Sequence, residues 1–318
     1  MPSVLVTRRL PSSVLSKLQA VADVEVHRGE GPIPPEELRR QLADKAGLVC
    51  FSTDTIDRAV FEAAPHLKVI ATVAVGYDNI DVAQARSRGV TVSNTPDVLT
   101  ESVADFTWGL ILAITRRLAE GERLVRRGEW KGWAFDLMLG SELRGKQLGV
   151  IGFGRIGRAV AARAPAFGMR VAFTARPGDA SAGAGDNPEE AMSLDRLLVT
   201  SDVISLHVPL TSATRHLIDK RALARMKRSA FLINTARGPV IDEAALAWAL
   251  QQHLIAGAAL DVYEHEPAVH ADLLSLENVL LVPHLASGTT ETRSTMAELA
   301  IDNVIEVLGG RSPLTPVP

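Results

Sequence analysis

The chain has 318 residues, 47% of them hydrophobic and 22% charged, with a formal net charge of −3. That length is enough for two domains with separate cores, and the near-neutral charge gives no support for a nucleic-acid or membrane-surface partner. A single cysteine, Cys50 in the run GLVCF, excludes an intrachain disulfide and reads as a buried strand residue of a protein from a reducing compartment. The N-terminus, MPSVLVTRRLPSS, has no signal-peptide stretch, and the longest apolar run, Phe106–Ile114, is too short to span a bilayer. The expectation is a soluble, cytoplasmic protein.

Apolar runs alternate with helical patterns along the whole chain, which predicts an α/β protein with parallel sheets. In the first third, SVLVT (3–7), GLVCFS (47–52), KVIATVAV (68–75) and VTVSN (90–94) read as buried strands. Between them, Pro11–Val21, Pro35–Asp44 and Ile56–Ala64 have helical spacing. Thr100–Glu129 then keeps that spacing without a proline, predicting one long helix, capped by Asp97 or Thr100, that bridges two domains.

A second series begins at QLGVIG (147–152) and continues through VAFTA (171–175), VISLHV (203–208), AFLINT (230–235), GAALDV (257–262) and VLLVPH (279–284). A last helix is expected over Glu291–Leu308, before the proline-containing tail RSPLTPVP. The Gly/Ala/Asp-rich stretch Pro177–Pro188 reads as a mobile surface loop.

The loop GFGRIG places Gly152, Gly154 and Gly157 in the pattern G-x-G-x-x-G between a strand and the helical stretch Arg155–Phe167. In that setting the glycines allow a tight turn, approach of a pyrophosphate and close helix–strand packing. Gly152, Gly154, Arg155, Ile156 and Gly157 are therefore candidate dinucleotide-binding residues; a plain glycine turn is the alternative. At the end of the next strand, a binder of NAD usually carries an acidic residue for the ribose 2′-hydroxyl. Here Ala175 is followed by Arg176, which suits a 2′-phosphate and favours NADP(H), with NAD(H) still possible. The other reading has Arg176 facing solvent or Asp179 reaching back.

Three further motifs, NTARG (234–238), AALDVYEHEP (258–267) and VPHLAS (282–287), each follow an apolar run and contribute Arg237, Glu266 and His284. An arginine, a carboxylate and an imidazole are the groups needed to hold a carboxylate, polarise a carbonyl and move a proton. Each has a plainer reading, as a turn arginine, a solvated carboxylate or a strand-end histidine. His265, Glu266 and His270 only superficially resemble H-E-x-x-H. The second histidine is one position late and Pro267 prevents the aligning helix, so no metal site is expected. His27, His66, His207, His216 and His253 show no ligand spacing.

VAVGYDNID (73–81), the glycine loop, HVPLTSATRHLI (207–218), INTARGPVIDEAAL (233–246), AALDVYEHEP and VPHLAS resemble the D-isomer-specific 2-hydroxyacid dehydrogenases over essentially the whole chain. LVCFSTDTID (48–57), FTARP (173–177) and GEWKGW (128–133) resemble the glyoxylate/hydroxypyruvate reductases within that family. The resemblance implies that Arg237 binds the substrate carboxylate and polarises the keto oxygen. His284 gives the proton, and Glu266 orients His284 and favours its protonated form. Val75 and Gly76 would hold the carboxylate through their amides, and Ser287 would stand at the pocket wall. Val208, Pro209 and Thr235 would line the cofactor groove, and Asp261 would contact the nicotinamide end. Trp133 would limit the pocket of a partner in a homodimer; packing within an inter-subunit arm is its other reading.

The expected fold is two doubly wound parallel-sheet domains. One is a flavodoxin-like substrate domain (1–98 and 287–318), the other a Rossmann NAD(P) domain (99–286). The active site is expected in a cleft whose closure excludes water and brings Val75 and Gly76 onto the substrate. Phosphoglycerate-type members place an arginine where this chain has Phe51, which leaves small 2-keto acids such as glyoxylate and hydroxypyruvate as expected substrates. Ala286-Ser287-Gly288 departs from the family's usual Gly-Ser-Ala while keeping the serine. Another family oxidoreductase, of phosphite or D-lactate type, and a non-catalytic nucleotide-sensing protein are the alternatives.

Overall fold

A computed structural model describes residues 1–29, 31–174 and 190–318. The expected loop Pro177–Pro188 and the pair Ala175–Arg176 lie outside the described residues. Contacts divide the chain into two units, Met1–Leu99 with Gly288–Pro318, and Thr100–Ser287. Leu99 thus falls in the first unit and Ser287 in the second, one residue beyond each expected division.

In the first unit, β1 (Ser3–Val6), β2 (Asp23–Val26), β3 (Gly47–Cys50), β4 (Val69–Thr72) and β5 (Thr91–Ser93) form a parallel sheet ordered β2-β1-β3-β4-β5. This is the flavodoxin-like order, which reverses between β1 and β3. Helices α1 (Ser12–Gln19), α2 (Pro35–Leu42), α3 (Arg58–Ala63) and α4 (Val82–Ser87) connect the strands. Asp57 and Asp81 fix where α3 and α4 start, accepting from the amides of Val60 and Gln84. β3 and β4 are buried at every position, so they read as unbroken apolar runs. β2, an edge strand of sequence DVEV, alternates with solvent and was not legible as a strand.

The chain's last helix, α12 (Thr290–Leu308), covers β3 and β4. Its fully buried Asn303 donates to Thr315 Oγ1 at 2.9 Å and accepts from the Thr315 amide at 3.0 Å. The tail so anchored bonds to the edge of the sheet, Val317 N donating to Val92 O at 2.9 Å. A proline-containing tail thereby covers an edge that would otherwise present unpaired backbone groups.

The second unit's parallel sheet, among the described residues, comprises β6 (Gln147–Ile151), β7 (Arg170–Thr174), β8 (Glu190–Ala191), β9 (Val203–Leu206), β10 (Phe231–Asn234), β11 (Gly257–Leu260) and β12 (Val279–Leu281). Its order, β12-β11-β10-β9-β6-β7-β8, is the Rossmann arrangement extended by one strand. Helices α5 (Thr100–Thr115), α6 (Leu118–Arg126), α7 (Arg155–Arg163), α8 (Leu194–Thr200), α9 (Lys220–Arg225), α10 (Glu243–Gln251) and α11 (Ala271–Leu274) complete the unit. α5 packs on α7, β10 and β11, and its Trp108 donates to Val160 O at 2.9 Å while stacking on Phe167.

The single long helix expected over Thr100–Glu129 is two helices, α5 and α6. Arg117 between them is left-handed, with φ of 54°. The amide of Ser141 donates to Thr115 O at 2.8 Å, so a returning segment takes the carbonyl that a continuous helix would use. Thr100 is the first residue of α5 and not its cap.

Asp202 ties the start of β6 to the segment before β10: it accepts from Gln147 N at 2.9 Å and from Lys227 Nζ at 2.9 Å. Burial alone would raise this carboxyl, but the amide and the ammonium hold it below its ordinary value. A lowered acid stabilises the fold fully above its unfolded value, about 4, and loses that contribution as pH falls through the folded value. Asp202→Asn is therefore expected to lower the melting temperature at pH 7, with the difference from wild type shrinking below about pH 4. A difference that does not depend on pH would show that charge is not the cause.

Candidate active site

The glycine loop joins β6 to α7, and its three glycines have different reasons to lack a side chain. Gly152 has φ of 94°, and a Cβ there would lie 2.6 Å from His207 O. A Cβ on Gly157 would lie 2.1 Å from Gly152 O, so the first turn of α7 can close on the strand only without one. Gly154, by contrast, is exposed, with no atom within 4 Å of where its Cβ would be. As the N-cap of α7 it brings no side chain to the helix's first amides, leaving those of Arg155, Ile156 and Gly157 for an anion. Phe153 anchors the loop, stacked on Phe173 with ring centroids 3.9 Å apart. This cradle fits a dinucleotide pyrophosphate, and Val208 adjoins it: Val208 Cγ1 lies 2.8 Å from the same hypothetical Cβ of Gly152.

The three candidate side chains leave the carboxyl ends of adjacent strands, Arg237 after β10, Glu266 after β11 and His284 after β12. Asn234 folds the first loop, donating to Arg237 O at 2.9 Å and accepting from Ala236 N at 3.0 Å. Gly238 lets that loop lie on the next: a Cβ there would be 1.8 Å from the carbonyl carbon of Tyr263. Arg237 itself is half-buried and donates to Ala236 O at 2.9 Å.

Glu266 Oε2 pairs with His284 Nδ1 at 2.9 Å, and Oε1 accepts from the amide of Tyr263 at 3.1 Å. Burial alone would raise the Glu266 carboxyl, but the hydrogen bond and charge of His284, the Tyr263 amide and Arg237 together hold it below the usual range. The Glu266 carboxylate on Nδ1 in turn fixes the orientation of the ring. His284 is held in the left-handed region, with φ of 50°, its amide donating to Asp261 O at 2.9 Å.

Asp261 follows β11 directly. It is fully buried, and its oxygens accept from the amides of Leu285 at 2.6 Å and Ala286 at 2.9 Å. These two bonds hold the turn that carries His284. Burial raises its carboxyl above the ordinary value even though both amides favour the ionised form. Ser102 secures the same turn, donating to Ala286 O at 2.9 Å.

Of the other candidates, Thr235 is buried, with Oγ1 3.0 Å from Thr107 Oγ1. Pro209 is exposed and Ser287 half-buried beside the His284 turn. In the first unit, Val75 and Gly76 follow β4, and Asn94 donates to Val75 O at 2.8 Å. Trp133 is 83% exposed, as is much of the neighbouring apolar surface of Trp130 and Phe135. Among the described residues no group of three or more His, Cys, Asp and Glu could hold a metal, and no helix is long and apolar enough to cross a membrane.

Residues 108–286 match the model of the D-isomer specific 2-hydroxyacid dehydrogenase, NAD binding domain. The chain belongs to that family. It is 48% identical to a glyoxylate reductase of Thermofilum pendens over 98% of this chain and 93% of the relative. Its fold matches the TT0316 protein of Thermus thermophilus, with a TM-score of 0.92 and 45% identity over 99% of this chain and all of the other. It also matches an NADPH-dependent glyoxylate/hydroxypyruvate reductase of Sinorhizobium meliloti, solved with NADP and malonate, with a TM-score of 0.87 and 36% identity over 99% and 96% of the two chains.

For this 2-hydroxyacid dehydrogenase, a methyl group separates the roles of the glycines. Gly157→Ala forces backbone against backbone and is expected to cost about 1–3 kcal/mol of stability, read as a lowered melting temperature. Gly154→Ala is expected to leave the melting temperature unchanged but to weaken nicotinamide-cofactor binding in a fluorescence titration. Equal effects of both substitutions on stability would contradict this division.

Proposed function

We propose that the protein reduces small 2-keto acids, glyoxylate and hydroxypyruvate, to D-2-hydroxy acids, with NADPH preferred over NADH. The His284 Nδ1–Glu266 Oε2 pair beside Arg237 carries this reading, because it supplies a proton donor and an anion-binding group in one place. Gly152, Gly154 and Gly157 would hold the pyrophosphate of a reduced nicotinamide dinucleotide, which when bound would supply the hydride. The chain's own residues do the rest. Arg237 binds the carboxylate and polarises the keto oxygen, with Val75 and Gly76 adding amide contacts. His284 Nε2 gives its proton to that oxygen as negative charge develops on it, and Glu266 keeps the ring oriented. Val208, Pro209 and Thr235 line the cofactor groove and Ser287 the substrate pocket.

The names of the Thermofilum pendens and Sinorhizobium meliloti relatives support the substrates, and the latter supports the cofactor preference. Ala175–Arg176 supports that preference from the sequence alone. The reading is of a cytoplasmic homodimer in which the exposed apolar segment around Trp133 meets a second copy.

Turnover of a panel of 2-keto acids with each cofactor tests the proposal. Glyoxylate and hydroxypyruvate with NADPH are expected to give the highest kcat/KM. His284→Ala and Arg237→Ala are each expected to cut it by ~10²- to 10⁴-fold with an unchanged melting temperature. A clear preference for NADH removes the assignment of NADPH, and near-normal rates in either variant remove the mechanism. Oxidation of phosphite in place of keto-acid reduction would identify the alternative oxidoreductase.

A further inference from the structure

The loop that carries Glu266 runs from the end of β11 to α11, and its backbone is gripped from α10. Glu243, the first residue of α10, is 4% exposed. Its Oε1 accepts from the amide of Glu264 at 2.6 Å and its Oε2 from the amide of His270 at 3.3 Å. The grip is reciprocal: Glu264 Oε2 accepts from the amide of Glu243 at 3.4 Å, while Glu264 Oε1 pairs with His216 Nε2 at 2.6 Å. The two amides held by Glu243 flank Glu266, one on each side in the chain.

We propose that Glu243 is a positioning residue for the reaction, setting Glu266 against His284 Nδ1 by clamping the backbone before and after it. The proposal rests on the reading of Glu266 given above. The chemistry requires a carboxylate in particular. Both of its oxygens meet N–H donors, and a glutamine would set its NH2 group against one of them, leaving two buried donors facing each other. The loop then shifts to separate them, and Glu266, fixed to that loop by the Tyr263 amide, shifts with it.

A double-mutant cycle on keto-acid reduction tests this, using Glu243→Gln, Glu266→Gln and the two combined. Glu243→Gln is expected to lower kcat by ~10- to 100-fold, the effect of about 1 Å of misplacement, with the cofactor Kd changed by less than about twofold. The combined variant is expected to be no slower than Glu266→Gln alone, because both changes act through one carboxylate. Losses that multiply, or a loss carried by KM or cofactor binding with kcat intact, overturn the role. A wild-type rate in Glu266→Gln would instead refute the reading of Glu266, whereas a slow Glu266→Gln beside a normal Glu243→Gln refutes the positioning role alone. Should Glu243→Gln not fold, Glu243→Asp keeps two acceptor oxygens on a shorter stem; a smaller loss of kcat with the same non-additivity is expected of it, and multiplying losses overturn the role equally.

Discussion

A buried carboxylate that holds backbone, with no cation set against it among its hydrogen bonds, is the constraint on which the site depends. Asp261 stands at the carboxyl end of β11 with no exposed surface. Burying such a group is costly unless its oxygens are satisfied, and here the amides of Leu285 and Ala286 satisfy them. Its own backbone extends the connection to both neighbours, its amide donating to Asn234 O and its carbonyl accepting from the His284 amide, each at 2.9 Å. One residue therefore links the loops after β10, β11 and β12.

A buried polar side chain likewise holds backbone at each candidate group. Asn234 shapes the loop that carries Arg237, Glu243 clamps the loop that carries Glu266, and Asp261 holds the turn that carries His284. All three holders are buried, so the cost of leaving a partner unbonded is high and each loop has few alternatives. The candidate side chains Arg237, Glu266 and His284 are themselves only partly buried, which leaves surface for a ligand. Gly238 completes the arrangement by letting the Arg237 loop lie directly on the backbone of Tyr263 and Glu264.

Much of this was legible in the sequence. Fully buried parallel strands read as unbroken apolar runs, and so β3, β4, β6, β9, β10 and β11 stood out, as did the three motifs that follow the last strands. β2 did not, because an edge strand with Asp23 and Glu25 facing out has no such run. The break at Arg117 was hidden because its cause, the Ser141 amide on Thr115 O, is a tertiary contact without a local signal. For the same reason the holders escaped notice. Asn234 and Glu243 stand inside quoted motifs, but backbone amides have no letter in a sequence. Asp261 was noticed only through the resemblance, and its hold on the His284 turn had no local signal.

The pH dependence of kcat for glyoxylate reduction, compared between the wild type and Glu266→Gln, tests the central claim most directly. If proton transfer belongs to the His284–Glu266 pair, removing the Glu266 carboxylate must displace the limb of the profile that the pair sets. The expected result is a lower kcat in Glu266→Gln with the basic limb of its profile displaced to lower pH. A basic limb that stays in place would contradict the assignment of proton transfer to this pair.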